Sequence, residues 1–251
     1  MHIDLSDQTI LVTGASRGIG RAIAHALGTS GAQVAIHYHR SAEPAHALAE
    51  ALDAAEPFQA NLATVAGCTQ LFDNVTAAFG RIDGLVNNAG VAVQLPLDDA
   101  DEAWAEGWAR TMHVNLRAPE LLCRRAIRHF RKRGGGRIIN VASRAAFRGD
   151  TLDYMAYAAS KGGLVALTRS IARGGGSDDI VAFTLAPGFT RTDMAQDFID
   201  TYGEDYATGD LALDRLTEPD DIAPTAVFLA SGLADHATGA TIDLNAGSYV
   251  H

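Results

Sequence analysis

The sequence predicts an α/β fold in which a doubly wound parallel sheet carries helices on both faces. Short apolar runs alternate along the chain with longer segments whose apolar residues recur at helical spacing. The short runs are almost continuously apolar, as expected of strands that are buried on both faces. A glycine-rich turn follows the first run and precedes a helical segment. Together these observations indicate parallel strands joined by right-handed crossover helices.

Six apolar runs are predicted to be strands: Thr9–Thr13, Gln33–Tyr38, Ile82–Asn88, Gly136–Ser143, Asp179–Pro187 and Ala240–Asn245. A weaker strand near Phe58–Ala60 would complete the series. Amphipathic stretches between the runs are predicted to be helices. The longest segment without periodicity, Phe189 to Asp220, is interpreted as a lid over a site.

Length and composition predict one domain spanning residues 1–251 of a soluble, cytoplasmic protein. Hydrophobic residues make up 47% of the chain and charged residues 20%. No apolar run reaches the roughly 18 residues that cross a bilayer, and the N-terminus lacks the regions of a secretion signal. Cys68 and Cys123 are too few for a disulfide framework. The net charge of −10 argues against a general nucleic-acid binder.

The glycine-rich turn has the chemistry of a phosphate-binding site. Gly14, Gly18 and Gly20 lie between the first predicted strand and the first predicted helix. Glycines allow the backbone to turn tightly and to approach a pyrophosphate, and the helix N-terminus offers free N–H groups. A plain tight turn is the alternative interpretation. The position of the glycine-rich turn between a strand and a helix favours nucleotide binding.

The end of the second predicted strand favours NADP(H) over NAD(H), which is the alternative cofactor. In NAD-binding sheets a carboxylate at this position binds the ribose 2′-hydroxyl. This chain instead has His37, Tyr38, His39, Arg40 and Ser41, and its first carboxylate is Glu43. Arg17 of the glycine turn is expected to direct a second cation toward the same region. Such groups bind a 2′-phosphate, which a carboxylate would repel.

Tyr157 and Lys161 form a second candidate site. They lie four residues apart in a predicted helix, so their side chains share one face. A neighbouring ammonium lowers the pKa of a phenol, which is about 10 when unperturbed, toward neutrality. Tyr154 lies about 10 Å along the helix from Lys161, too far for strong coupling, and is a candidate pocket wall. A solvated Tyr–Lys pair is the alternative interpretation.

Three strand ends are expected to face this pair. Ser143 ends the predicted fifth strand, Asn87–Gly90 ends the fourth and Pro187–Met194 follows the sixth. The carboxyl ends of parallel strands meet at the edge where open sheets bind ligands. The hydroxyl of Ser143 could therefore bind a substrate carbonyl. The convergence of these segments predicts an active site more strongly than any single motif does.

With these residues in place, the sequence resembles the short-chain dehydrogenase/reductase family over essentially its whole length. The resemblance is carried, in order, by "TGASRGIG", "NNAG", Asn115 within "MHVNL", Ser143, "YAASK", Pro187–Gly188 and "TGATIDLNAGSYV". It implies a Rossmann-type fold with a seven-stranded parallel sheet of order 3-2-1-4-5-6-7. It also implies hydride transfer between a nicotinamide and a carbonyl or secondary alcohol.

The resemblance assigns roles to four catalytic residues. Tyr157 is implied to be the general acid, and Lys161 to lower its pKa and to bind the nicotinamide ribose. Ser143 is implied to orient the carbonyl. Asn115 is implied to hold a proton-relay water by bending its helix, whereas a buried helical Asn satisfied by backbone is the alternative. No metal is implied.

The implied cofactor contacts include adenine at Asn61 and Leu62, and the carboxamide at the backbone after Gly188 and the hydroxyl of Thr192. The full set is Gly14, Ser16, Arg17, Gly18, Ile19, Gly20, Tyr38, His39, Arg40, Ser41, Asn61, Leu62, Asn88, Ala89, Gly90, Tyr157, Lys161, Pro187, Gly188, Thr190 and Thr192. Two departures from the family stand out. Ser143 and Tyr157 are fourteen positions apart, one more than usual, which predicts a bulge between them. Asn61 also stands where many relatives carry Asp.

The C-terminal motifs are similar to those of 3-oxoacyl-(acyl-carrier-protein) reductases, which makes a 3-oxoacyl thioester the first substrate expected. The alternative is a small ketone, polyol or steroid-like alcohol. A protein of another class, which senses a nucleotide without turnover, is a further alternative.

Three expectations concern partners. The basic run Arg124–Arg137 could bind an acidic acyl carrier protein, but cations that complement a helix C-terminus are the favoured interpretation. Ten acidic residues between Phe189 and Asp221 would disfavour anionic substrates if they face the cleft. The resemblance also implies a homo-oligomer, commonly a tetramer, that packs through the helices carrying Asn115 and Lys161.

Overall fold

The computed structural model describes residues 3–250, and within them every side chain except those of Asp197, Thr201, Tyr202, Glu204 and Tyr206. Seven parallel strands form one sheet in the order β3-β2-β1-β4-β5-β6-β7, which confirms the predicted fold class. The strands are β1 (Thr9–Val12), β2 (Gln33–Tyr38), β3 (Ala55–Gln59), β4 (Gly84–Asn87), β5 (Gly136–Val141), β6 (Ile180–Pro187) and β7 (Thr241–Leu244).

Helices connect the strands. They are α1 (Gly18–Thr29), α2 (Ala42–Glu50), α3 (Val65–Phe79), α4 (Asp101–Met112), α5 (Ala118–Phe130), α6 (Ala145–Arg148), α7 (Met155–Gly175), α8 (Asp193–Tyr202), α9 (Glu204–Thr208) and α10 (Pro219–Ala230). A π-helical turn, His113–Arg117, joins α4 to α5. No helix within residues 3–250 has the length and apolar character to cross a bilayer.

Two hydrophobic cores lie on opposite faces of the sheet. Ile10 and Val12 of β1 belong to the core that contains α1 and α10, whereas Leu11 belongs to the core that contains α3 and α5. This alternation follows from the two-residue period of a strand. Because both faces are covered, the central strands are apolar at nearly every position.

The strand order places a crevice at the carboxyl edge of the sheet. β1 pairs with β2 on one side and with β4 on the other, so the chain reverses its direction of winding at β1. In open α/β sheets the crevice that binds ligands opens where the winding reverses. The turns after β1, β4, β5 and β6 all emerge there.

Some boundaries differ from the sequence predictions. β5 ends at Val141, so Ser143 lies in the turn beyond the strand rather than at its last position. The interval between Ser143 and Tyr157 does not form a simple bulge: it contains α6 and a short 3₁₀ turn, Leu152–Tyr154.

The segment interpreted as a lid is anchored to the rest of the molecule at both ends. Thr190 forms an isolated bridge with Thr217. The hydroxyl of Thr192 caps α8 by accepting from the N–H of Ala195. At the far end Glu218 and Asp221 form a capping box on α10. The side chains of Asp197 and Glu204, two of the ten acidic residues counted in the sequence, lie outside the described part.

Gly20→Ala is expected to destabilise the fold, and Gly174→Ala serves as its matched control. A Cβ at Gly20 would collide with the Asn88 amide and the Gly14 carbonyl. Overpacking of this kind costs about 1–3 kcal/mol, so the midpoint of thermal unfolding should fall. Gly174 lies in α7 with open space around its missing Cβ, and alanine there should raise the midpoint because glycine is a poor helix former. Equal shifts for both variants would contradict the packing role of Gly20.

Candidate active site

A cavity of about 610 Å³ opens at the carboxyl edge of the sheet. It brings together most of the residues that the sequence selects. Those that line it are Gly14, Ser16, Arg17, Gly18, Ile19, Tyr38, His39, Arg40, Ser41, Leu62, Asn88, Ala89, Gly90, Ser143, Tyr157, Lys161, Pro187, Gly188, Thr190 and Thr192. Gly20, Asn61 and Asn115 do not line it. Among the described residues, no cluster of three His, Cys, Asp or Glu side chains is placed to bind a metal.

Residues that follow β4 contact the glycine turn and fix its conformation. Gly14 and Gly18 adopt φ values of 64° and 54°, in the left-handed region that favours glycine. A Cβ on Gly14 would lie 2.9 Å from the Cα of Ala89. The amide of Asn88 donates to the carbonyls of Thr13 and Gly14 at 3.0 and 3.1 Å. The first turn of α1 carries neither a side-chain cap nor an acidic residue, so its N–H groups suit a phosphate.

His37 supports the same turn, and the sequence assigned it no such role. Its Nδ1 accepts from the N–H of Gly14 at 3.0 Å, and its Nε2 lies 3.2 Å from the carbonyl of Ala60. Burial lowers the pKa of His37 to about 4, so the ring is neutral and Nε2–H donates to Ala60. The neutral ring therefore ties the turn to the end of β3. From the sequence, His37 could be recognised only as a residue of a buried strand. Its hydrogen bonds are made to Gly14 and Ala60, which lie in other segments of the chain.

The end of β2 presents polar and cationic side chains to the cavity. Tyr38 is buried, its ring lies 6.1 Å from that of His46, and His39 and Arg40 are exposed. Among the described residues, no carboxylate lines the cavity at this end, and Glu43 lies outside the lining.

Two predicted cofactor residues are placed differently from expectation. The guanidinium of Arg17 pairs with Asp193 of α8 at 3.1 Å instead of turning toward the end of β2. Asn61 is exposed, and its side chain accepts from the N–H of Ala63 at 3.0 Å. A local turn thus occupies the Asn61 side chain, and only its neighbour Leu62 reaches the cavity.

Tyr157, Ser143 and Lys161 lie together at the centre of the cavity. The Ser143 side chain interacts with that of Tyr157 and lowers its pKa. Lys161 is 3% exposed, and its Nζ donates to the carbonyl of Val141 at 2.8 Å. The same Nζ lies 5.7 Å from the centre of the Tyr157 ring. The spacing predicted from the helix therefore brings the phenol and the ammonium to one site.

The pKa of Tyr157 is raised in this structure, whereas the sequence predicted that Lys161 would lower it. Burial raises the pKa of Tyr157 to about 12, the hydrogen bond from Ser143 opposes this, and the charge of Asp150 adds to it. The Lys161 ammonium, which donates to the Val141 carbonyl, does not outweigh the effect of burial. Burial also lowers the pKa of Lys161 to about 8. At neutral pH the pair therefore consists of a neutral phenol and an ammonium.

Asn115 does not line the cavity, but it binds Val91, which does. It is fully buried within the π-helical turn, where its side chain accepts from the Val91 N–H and donates to the Val91 carbonyl, both at 2.8 Å. Its amide also donates to the Ser160 hydroxyl at 3.1 Å, and that hydroxyl donates to the carbonyl of Tyr157. Asn115 therefore fixes the segment after β4 against the helix of Tyr157. The π-helical turn is the distortion expected of this helix.

Tyr154 belongs to the wall of the cavity. It is buried, and its ring packs tilted against that of Phe198 at 5.0 Å between centres. Phe198 also packs against Phe189 at 5.5 Å, and all three line the cavity. Of the two tyrosines, Tyr157 is thus the one placed beside Lys161.

Comparison with known proteins identifies the chain's relatives. Residues 14–249 match the family described as enoyl-(acyl carrier protein) reductase. The chain is 37% identical over 248 residues to the D-threitol dehydrogenase of Mycolicibacterium smegmatis, an alignment that covers 97% of this chain and 93% of that one. It is 36% identical over 247 residues to the 3-oxoacyl-[acyl-carrier-protein] reductase FabG of Staphylococcus aureus, covering 97% and 98% of the two chains.

A solved structure has the same fold throughout. It is a candidate NAD(P)-dependent gluconate 5-dehydrogenase from Beutenbergia cavernae with bound NADP at low occupancy. The TM-score is 0.90 at 33% identity, with 99% of each chain covered. Site, fold and relatives agree: the chain belongs to the short-chain dehydrogenase/reductase family of oxidoreductases.

Proposed function

We propose that this protein is an NADP(H)-dependent oxidoreductase that interconverts a carbonyl and a secondary alcohol. The observation that carries the proposal is that Ser143, Tyr157 and the buried Lys161 line one cavity. This group lies in the same cavity as the glycine turn of α1. When bound, the nicotinamide supplies the hydride for reduction and accepts it in oxidation.

The chain's own residues move the proton. In reduction Ser143 donates a hydrogen bond to the carbonyl oxygen, and Tyr157 donates its phenolic proton to that oxygen as the carbon gains the hydride. In oxidation the phenolate of Tyr157 accepts the hydroxyl proton. Because the pKa of Tyr157 is raised to about 12, the phenol is the form present at neutral pH, and it is ready for reduction.

Lys161 and Asn115 support this proton transfer. The Lys161 ammonium stabilises the phenolate that remains after Tyr157 has given up its proton. Its three donors suit both the Val141 carbonyl and the ribose hydroxyls expected from the resemblance. Asn115 is proposed to position the segment after β4, and its implied relay water stays a prediction.

The cavity fits a dinucleotide that carries a 2′-phosphate. The positive φ of Gly14 and Gly18 and the uncapped α1 N-terminus form a cradle for the pyrophosphate. His39 and Arg40 line the cavity at the position where NAD-binding sheets carry a carboxylate, which would repel the 2′-phosphate. The NADP bound in the structure from Beutenbergia cavernae supports the choice. NAD(H) remains the alternative.

The substrate predicted first, a 3-oxoacyl thioester, is supported by the similarity to the reductase of Staphylococcus aureus. The alternative, a compact polyol or ketone, is supported by the threitol dehydrogenase and by one feature of the site. Charged side chains line the substrate side of the cavity: Arg144, Arg148 and Asp150. Such a wall suits a hydroxylated substrate better than a long apolar chain.

The basic run Arg124–Arg137 gives little support to a carrier protein at this site. It covers the end of α5 and the start of β5, which lie at the amino edge of the sheet, opposite the cavity. Three of its six arginines form ion pairs at 2.7–2.8 Å: Arg125 with Asp73, Arg131 with Asp178, and Arg137 with Asp235. These contacts favour the helix-end interpretation.

The homotetramer and the cytoplasmic location expected from the sequence stay predictions. α4 supports an interface, because Thr111 is its only buried residue. Trp104 and Trp108 on this helix stack at 5.1 Å between ring centres, and both are partly exposed. A second subunit could cover this face.

Tyr157→Phe is expected to abolish turnover while cofactor binding persists. Removal of a general acid lowers kcat by about 10²- to 10⁴-fold, and NADPH fluorescence would report binding separately. Tyr154→Phe, in the 3₁₀ turn that precedes this helix, is the matched variant and should lower kcat by less than tenfold. If Tyr157→Phe keeps full activity, the catalytic assignment is wrong. If the unaltered protein binds NADPH but reduces no member of a ketone panel, the nucleotide-sensing alternative gains support.

Arg40→Asp is expected to reverse cofactor preference. A carboxylate there would repel the 2′-phosphate and accept from the 2′-hydroxyl, so the NADPH/NADH ratio of kcat/KM should fall about 10- to 100-fold. Arg173→Asp, an exposed change on α7, should leave that ratio unaltered. A clear preference of the unaltered enzyme for NADH would refute the cofactor proposal.

The two directions of the reaction should differ in their pH dependence. Oxidation needs the phenolate of Tyr157, and because the pKa is raised to about 12, the phenolate fraction rises about tenfold per pH unit through the range 6–9. Reduction needs the phenol, which persists throughout that range. Measured kcat/KM for oxidation should therefore rise with pH, most steeply below pH 8, where Lys161 keeps its charge. A flat oxidation profile would argue against Tyr157 as the base.

A further inference from the structure

One end of the cavity is formed by three segments that leave neighbouring strands. They are the glycine turn after β1, the residues Tyr38–Ser41 at the end of β2, and Leu62 after β3. On the proposed function they are expected to hold the pyrophosphate, the 2′-phosphate and the adenine of the cofactor. We call this part of the cavity the adenosine end. Cofactor affinity there depends on how closely the three segments keep their positions relative to one another.

His37, near the end of β2, is hydrogen-bonded to the other two segments. Its backbone carbonyl accepts from the N–H of Ala15 at 2.9 Å, and its Nδ1 accepts from the N–H of Gly14 at 3.0 Å. Its Nε2 lies 3.2 Å from the carbonyl oxygen of Ala60, directly after β3. The residue is 2% exposed and lines the cavity. One buried side chain therefore joins the glycine turn to the end of β3.

The N–H of Gly14 differs from its neighbours in its need for a side-chain acceptor. The N–H groups before and after it bond to strand backbone: Thr13 donates to the Val86 carbonyl, and Ala15 donates to the His37 carbonyl. Gly14, with a φ of 64°, donates to the imidazole instead. A partly buried N–H that loses its acceptor favours another backbone conformation, in which it finds a new partner. The ring of His37 thus stabilises the left-handed conformation of Gly14.

The two contacts of the ring require one acceptor and one donor on the same planar group. Gly14 presents an N–H and Ala60 presents a carbonyl, so a neutral imidazole satisfies both. The ring is neutral at pH 7 because burial lowers its pKa to about 4. A carboxylate would accept from Gly14 but would repel the Ala60 carbonyl and a nearby 2′-phosphate. The amide of a glutamine offers the same combination of acceptor and donor as the imidazole.

The reacting end of the cavity is built on other elements. Ser143 lies in the turn after β5, and Tyr157 and Lys161 lie on α7. The side-chain hydrogen bonds of His37 go to the glycine turn and to the end of β3, and neither segment carries these three residues. A change at His37 is therefore expected to alter the binding of the cofactor's adenosine part and to leave the chemical step intact.

We propose that His37 is a positioning residue for the cofactor, which holds Gly14 and Ala60 at the spacing that the adenosine part of NADP(H) requires. It acts through the backbone of two segments and not on the reacting atoms, so it is not a catalytic residue. The proposal rests on the proposed function and deepens it, because it names a residue that sets cofactor affinity and does not set kcat.

His37→Leu tests the proposal, and His129→Leu is its matched control. The ring of His129 also accepts from a backbone N–H, that of Ile82 at 3.1 Å, but it lies outside the cavity. His37→Leu should raise the calorimetric Kd of 2′,5′-ADP and the KM for NADPH by the same factor, about 5- to 30-fold, because two hydrogen bonds are lost. The kcat at saturating NADPH should stay within about twofold. His129→Leu should change none of these three quantities.

A conservative variant and a spectroscopic measurement separate positioning from a general loss of stability. His37→Gln should bring the Kd of 2′,5′-ADP back to within about threefold of the unaltered protein, because the amide replaces both contacts. His37→Glu should bind 2′,5′-ADP more weakly than His37→Gln, because its charge opposes the Ala60 carbonyl and the phosphate. Nitrogen-15 NMR of the unaltered protein should show His37 with a proton on Nε2 and none on Nδ1.

The outcomes distinguish failure of this inference from failure of the proposed function. If His37→Leu and His129→Leu change the Kd equally, if His37→Leu lowers kcat and leaves KM unchanged, or if Nδ1 carries the proton, the positioning role is refuted although the cofactor proposal stands. If the unaltered protein binds neither 2′,5′-ADP nor NADPH, both are refuted. Thermal unfolding shows which variants are folded. Should His37→Leu not fold, equal affinities of His37→Gln and His37→Glu would refute the role.

Discussion

The edge of the sheet that carries the candidate site depends on one constraint: the irregular backbone there is partly buried, so its N–H and C=O groups need partners. Polar side chains supply them. Asn88 binds the carbonyls of Thr13 and Gly14, Asn115 binds both backbone groups of Val91, and His37 accepts from Gly14. Loss of any one would leave a partly buried backbone group without its partner, which costs up to about 1–3 kcal/mol where the group stays shielded from water. These side chains therefore fix the turns on which the site is built.

The same constraint determines the state of Tyr157 and Lys161, the proposed catalytic pair. Lys161 donates to the Val141 carbonyl at the end of β5, so the ammonium is held by backbone rather than by the phenol. A Cβ on Gly90 would lie 3.5 Å from the Lys161 Nζ and 3.4 Å from the Asn115 Oδ1, which leaves little room for a planar guanidinium. A compact charge fits this position, and with the ammonium so held, burial dominates the pKa of Tyr157.

The sequence predicted the features that depend on the local pattern of residues. It did not predict those that depend on contacts between residues far apart in the chain. Six strands follow from the apolar runs, and the Tyr157–Lys161 spacing follows from the helical period. β3 (Ala55–Gln59) begins earlier than the weak strand predicted near Phe58–Ala60. The partner of Arg17, the turn that occupies Asn61 and the hydrogen bonds of His37 depend on residues far along the chain, and no local signal marks them. The net shift of the Tyr157 pKa is upward rather than downward because burial outweighs the neighbouring ammonium, and residue spacing alone does not show how deeply a side chain is buried.

The edge divides into two halves of different chemistry. The cofactor half uses mainly backbone, glycine conformation and a helix terminus, features that tolerate few substitutions because a Cβ would collide with Ala89 or Asn88. The substrate half uses side chains from residues 144–154 and the lid, which can change without disturbing the sheet. This division explains how relatives with one fold act on both threitol and 3-oxoacyl groups.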